Sequence, residues 1–239
     1  MNFLQSLWKK SKIGELEITH WRKHLPQKIL EAISAKPIRI VVGLPKVSIY
    51  PFGKMHLALR AFSGVRARQL FKTLQETARK RSAVLEMPVA LIAGPENALI
   101  ATVWKKNTRT LEAFLSDPKI SSSLKKSACI NAMKKTASLC AAGFAHGHLQ
   151  NKNMVADQKG RAGLVDYTFL EAKRYGRVPN LRYVASDMAT EIFLSELSHG
   201  RQLKQKEIDD AYQRKQELEK VLVRTFQAHF RKYKKRRGK

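Results

Sequence analysis

His146-Gly147-His148-Leu149-Gln150-Asn151-Lys152-Asn153 is the most informative stretch of the chain, taken with Asp166, thirteen positions beyond Asn153 at the end of an apolar run. After Asn153 the residues spell a short strand, Met154-Val155-Ala156-Asp157, a turn, Gln158-Lys159-Gly160-Arg161, and a second strand leading into Asp166. Alternating apolar residues around a Gly-containing turn are the mark of a hairpin. Upstream, the spacing predicts a helix over 121–145. Its apolar positions Cys129, Met133, Ala137, Cys140 and Phe144 step by four or three, as a buried helical stripe does. Both cysteines of the chain fall on that stripe, which predicts small core residues rather than reactive thiols.

Working further upstream, residues 38–104 read as five strands and one helix. Ile38–Val42, Val47–Phe52 and His56–Phe62 are predicted strands separated by Gly43, Pro45, Gly53 and Lys54. Residues 65–82 lack Gly and Pro, and Val65, Leu70, Phe71 and Leu74 predict one apolar helical face. Val89–Ile92 and Ala98–Trp104 are two further strands around a turn at 95–97. Downstream, 108–116 reads as a short helix ended by Asp117-Pro118, 184–197 as a helix, and 204–231 as a last helix. The fold class is therefore α+β: a small, mostly antiparallel sheet with one helix on it, followed by a mostly helical region. The predicted organisation is a helical extension over 1–36, a sheet region over 37–105, a helical region over 106–230 and a basic tail over 231–239.

The 239 residues carry 46 Lys and Arg against 19 Asp and Glu, a formal charge of +27. That points to a polyanionic partner: nucleic acid, anionic lipid or a phosphorylated glycan. The end, from Arg231 to Lys239, is almost entirely cationic and reads as a disordered interaction tail. With 44% hydrophobic residues, global disorder is excluded. Two cysteines exclude a disulfide-dense scaffold and a four-cysteine metal site. No apolar run approaches the roughly 20 residues of a membrane-spanning helix. Met1–Lys10 lacks the pattern of an export signal, so a cytoplasmic location is expected. Phe3, Leu4, Leu7 and Trp8 lie at helical spacing, which suits either an interfacial helix or one docked on its own protein.

The segment 146–166 resembles the catalytic core of the protein-kinase-like fold, where a loop of the type H-R-D-L-x-x-x-N is followed by a hairpin and a D-F-G aspartate. His146, Leu149 and Asn153 match in register, and Asp166-Tyr167-Thr168 stands in place of D-F-G. Five strands with one helix after the third are similar to the smaller lobe of that two-lobe fold. The resemblance implies ATP and Mg²⁺ as cofactors, with Asn153 and Asp166 as hard oxygen ligands to the metal. It puts His148 at the position of the catalytic aspartate. A neutral imidazole can act as a base, but it does not bring the aspartate's charge. His146 and Asp187 are implied as supports of the loop. Arg60, at the end of the third strand, and Glu76, on the following helix, are implied as nucleotide contacts. No G-x-G-x-x-G loop is present; Gly43-Leu44-Pro45-Lys46 occupies its place.

Within that fold, Leu59–Gly64, Ala83–Ile92 and the stretch from Arg182 through Asp187 to Ile192 resemble the lipopolysaccharide kinases of the Kdo and core-heptose type. The activity implied is transfer of phosphate from ATP to a lipopolysaccharide core sugar at the membrane face. Two alternatives stay open: a catalytically inactive pseudokinase acting as a binding or regulatory module, and a basic nucleic-acid-associated protein.

Overall fold

The structure, a computed structural model, describes residues 8–21, 26–41, 47–79, 87–94, 97–104, 106–172, 180–198 and 204–237. The chain divides into two compact units, Met1–Lys106 and Asn107–Lys239.

The first unit is a seven-stranded antiparallel sheet with two helices. Its strands are β1 (Trp8–Ile13), β2 (Leu16–Trp21), β3 (Arg39–Val41), β4 (Val47–Phe52), β5 (Met55–Ser63), β6 (Pro88–Ala93) and β7 (Asn97–Trp104), in the order β1-β2-β6-β7-β5-β4-β3. The helices are α1 (Pro26–Ser34) and α2 (Gly64–Arg79). The helical extension predicted for 1–36 is corrected over most of its described length. Residues 8–21 form a hairpin that widens the sheet, and only α1 is helical. Leu16, Ile18 and His20 alternate inward as a strand requires, and Gly14 takes a φ of +58° at the turn. Phe3, Leu4, Leu7, Gly43–Lys46 and Ala83–Glu86 lie outside the described residues.

Strand register fixes which side chains share a face. Lys10 pairs with Thr19, Thr19 with Leu91, Leu91 with Ile100, Ile100 with Arg60, and Arg60 with Val47. Directly opposed residues point to the same side, so these six form one row across one face. Helix α2 lies on that face. Ala67, Leu70, Phe71, Leu74 and Thr77 are its buried positions, and it packs on β5, β6 and β7. Val65, predicted to join that stripe, is exposed. The opposite face gathers Ile18, Leu57, Leu59, Ala90, Ile92 and Ala101 with Ile29 of α1. Each fully buried Leu, Ile or Phe stabilises this core by about 1.5–3 kcal/mol.

The second unit holds β8 (Thr108–Thr110), α3 (Leu111–Leu115), α4 (Ser122–Ala141), β9 (Phe144–Ala145), β10 (Met154–Asp157), β11 (Ala162–Leu164), β12 (Glu171–Ala172), α5 (Leu181–Leu197) and α6 (Gln205–Arg237). The helix predicted over 108–116 is a short strand followed by α3, with Thr110 Oγ1 accepting from Ala113 N at 3.2 Å as the N-cap. Cys129, Met133, Ala137, Cys140 and Phe144 are all buried. Burial pushes the Cys140 thiol up to about 12 and the Cys129 thiol higher still, which leaves both unreactive. Helix α6 packs on α4 and α5 through Ala211, Leu218, Leu222 and Phe226, while Tyr212 and Val221 face outward. The tail expected to be disordered from Arg231 continues α6 to Arg237. Lys and Arg are good helix formers, and cations at a helix C-terminus complement its dipole. Among the described residues no helix is long and apolar enough to cross a membrane.

Candidate functional site

The segment from β9 to β12 is a closed circuit. The chain leaves β9 at Ala145, runs through His146–Leu149 and a 3-10 turn at Asn151–Asn153, and enters the antiparallel β10–β11 hairpin. It then passes Asp166 and a second 3-10 turn at Tyr167–Phe169, and returns as β12, where Glu171 pairs with Ala145 and Ala172 with Phe144. This closure places Asp166–Phe169 against His146–His148.

Hydrogen bonds lock the circuit from inside. Val165 N donates to Asn153 O at 2.9 Å, joining the end of the hairpin to the 3-10 turn. His146 is buried, and its Nε2 lies 2.7 Å from the Val165 carbonyl. A carbonyl only accepts, so the imidazole carries its proton on Nε2. Burial holds the His146 pKa below its ordinary value, so the ring is neutral. Asp187, on α5, accepts from Asn151 N through Oδ2 at 3.3 Å. Both residues expected to support the loop are thus bonded to it or to the strand that follows. Asn151 has a cost attached. Its side-chain amide is buried with no hydrogen-bond partner among the described residues, an arrangement worth about 1–3 kcal/mol against the fold.

Asn153 and His148 are coupled directly. Asn153 Nδ2 donates to the His148 carbonyl at 2.7 Å and lies 3.3 Å from His148 Nδ1. An amide nitrogen only donates, so Nδ1 is the acceptor of this contact, and a His148 ring with a single proton carries it on Nε2. The nitrogen left over is a donor rather than a base. The same geometry leaves Asn153 Oδ1 as the amide's acceptor. Asp166 sits in the left-handed region, with φ 59° and ψ 69°, and its Oδ1 accepts from Thr168 N at 3.4 Å and Thr168 Oγ1 at 2.5 Å. Asp tolerates this backbone conformation better than most residues because its short carboxylate bonds locally.

Two contributors were not singled out from sequence. Gly147 has a φ of +78°, and a Cβ there would meet Phe169 O at 2.3 Å. Only glycine allows that approach. Phe169 stands edge-on to His148 with ring centroids 5.7 Å apart. A glycine between two histidines was the available signal, but the close approach to Phe169 depends on the β9–β12 pairing.

An Asn amide oxygen and an Asp carboxylate are hard donors suited to Mg²⁺, which is commonly held by one or two protein oxygens with waters and substrate phosphates. Among the described residues no group of three or more His, Cys, Asp or Glu side chains is arranged to hold a metal, so any metal here would rest on that pair. In the first unit, Arg60 is 2% exposed on the face that α2 covers. Glu76 lines a cleft between α2 and the β1–β2 hairpin. No protein-family model matches this chain, and no curated protein matches it.

Proposed function

We propose that the protein is a kinase-like ATP-dependent phosphotransferase whose acceptor is a phosphate-rich sugar such as a lipopolysaccharide core. The observation that carries this reading is the circuit in which Asn153 and Asp166 flank one hairpin, with Asn153 O and His146 both bonded to Val165. That is the arrangement by which kinase-like folds present two oxygen ligands to Mg²⁺ on nucleotide phosphates. Five strands, β3 to β7, with α2 after the third of them, support the same reading. Mg²⁺, when bound, would neutralise and polarise the phosphates. Asn153 and Asp166 would hold it, with the Asn153 amide oriented by the His148 carbonyl and the Asp166 carboxylate by Thr168. Arg60 and Glu76 stay as nucleotide contacts on the resemblance alone.

The tautomer of His148 favours a second reading, a pseudokinase that binds nucleotide without transferring phosphate. A ring with its proton on Nε2 and Nδ1 turned to Asn153 donates a hydrogen bond to an anion; it does not take a proton from an acceptor hydroxyl. Radiolabelled ATP with purified lipopolysaccharide cores separates the two. Label transfer that Asn153→Ala abolishes supports the phosphotransferase. Nucleotide binding without transfer, with transfer appearing in His148→Asp, supports the pseudokinase. A chain that binds no nucleotide contradicts both.

A further inference from the structure

The first unit contains a cleft of about 720 Å³ between the β1–β2 hairpin and α2. Lys10 and Lys12 reach it from alternate positions of β1, and Arg68, Lys72 and Arg79 from α2. Against these five cations stand two carboxylates, Glu17 and Glu76. Among the described residues none of the seven is in an ion pair. Arg68 and Lys72 are four apart on the helix, a like-charge spacing that costs an isolated helix a few tenths of a kcal/mol. The floor is apolar, formed by Phe71, Leu91 and Ala93.

A cationic rim without ion pairs among the described residues, over a concave, partly apolar floor, is a receptor for anions. Its volume is that of a small-molecule site. Arginine forks match phosphate in two-point geometry, and the lysines supply further charge. Phe71 is 2% exposed and offers no ring face for base stacking, which disfavours a single-stranded nucleic acid. We propose that this cleft binds a ligand bearing clustered phosphates, either a soluble oligophosphate or the phosphorylated headgroup of a lipid. The site depends on the β1–β2 hairpin, which lies outside the five-strand layout, and it stands independently of the nucleotide reading of Asn153 and Asp166.

The test is calorimetric titration of the full chain with sodium tripolyphosphate, repeated with Arg68→Ala/Lys72→Ala. Both side chains are exposed, and a thermal melt checks that the variant folds. Each lost charged hydrogen bond weakens binding by about tenfold or more. The control, Lys232→Ala/Lys234→Ala, removes the same charge from α6 and is expected to leave the affinity unchanged. Phosphatidylcholine vesicles with and without phosphatidic acid distinguish the source. Displacement of tripolyphosphate only by the acidic vesicles assigns a lipid headgroup, and no displacement assigns a soluble ligand. Equal losses in both double variants, no tripolyphosphate binding at millimolar concentration, or cleft-dependent binding of a single-stranded oligonucleotide alone would overturn the proposal.

Discussion

In the circuit from His146 to Phe169, the side chains of His146, His148, Asn153 and Asp166 are each bonded to a named partner. In the α2 cleft, the charged side chains have no ion-pair partner among the described residues. The circuit specifies geometry, because buried donors and acceptors accept few arrangements. The cleft specifies only a sign of charge, because exposed cations move and are screened by salt. Single substitutions should therefore cost the first much stability and the second little, while added salt should weaken anion binding at the second and leave the first largely unchanged.

Gly147 carries the largest expected effect. Gly147→Ala puts a methyl group 2.3 Å from Phe169 O at a φ of +78°. It is expected to destabilise the second unit by about 3 kcal/mol or more, read as a lower urea midpoint. A midpoint within error of the native chain would show that the β9–β12 closure is looser than described. Asn153→Ala comes next. It removes the donor to the His148 carbonyl, with an expected cost of about 2 kcal/mol. A cost near zero would mean that this bond does not order the loop.

A pH series sharpens the contrast through His146. Its folded pKa lies below the ordinary 6.5, because burial disfavours the imidazolium. Above that value neither the folded nor the unfolded state is protonated, and the residue contributes no pH dependence. Below it the unfolded chain takes up a proton that the native chain does not, so stability falls toward acid by up to about 1.4 kcal/mol per pH unit. His146→Gln keeps an amide donor for the Val165 carbonyl and should lose that slope between pH 6.5 and 5. Parallel urea midpoints for the two proteins would contradict the assignment. The smallest effect belongs to the cleft: Arg68→Ala/Lys72→Ala should change stability by no more than about 0.5 kcal/mol per site. A larger loss would mean that the cations hold the unit together.

What the sequence made legible follows from which interactions are local. The α4 stripe, the strands from Val47 to Trp104, and the spacing of Asn153, Asp166 and Asp187 were readable because period and spacing are properties of neighbouring residues. Residues 8–21 were misread because the spacing from Phe3 to Trp8 was weighed above the alternation of Leu16, Ile18 and His20 beyond Gly14. The end of α6 was misread because a charge run was taken for a solvated tail, although the same residues favour helix and suit its C-terminus. The tautomer of His148 and the need for glycine at 147 were out of reach. Both depend on contacts with Asn153 and Phe169 that exist only once the chain has closed on itself.

Asn153 and Asp166 are proposed to hold a metal-bound nucleotide. Asp166→Asn is the sharpest variant, since it tolerates the left-handed backbone and keeps an acceptor for Thr168 while removing the charge. Thermal unfolding with ATP, with and without Mg²⁺, is the direct measurement. A Mg²⁺-dependent stabilisation of the native chain that disappears in Asp166→Asn is expected. Equal stabilisation of the two proteins, or none of either, would contradict it.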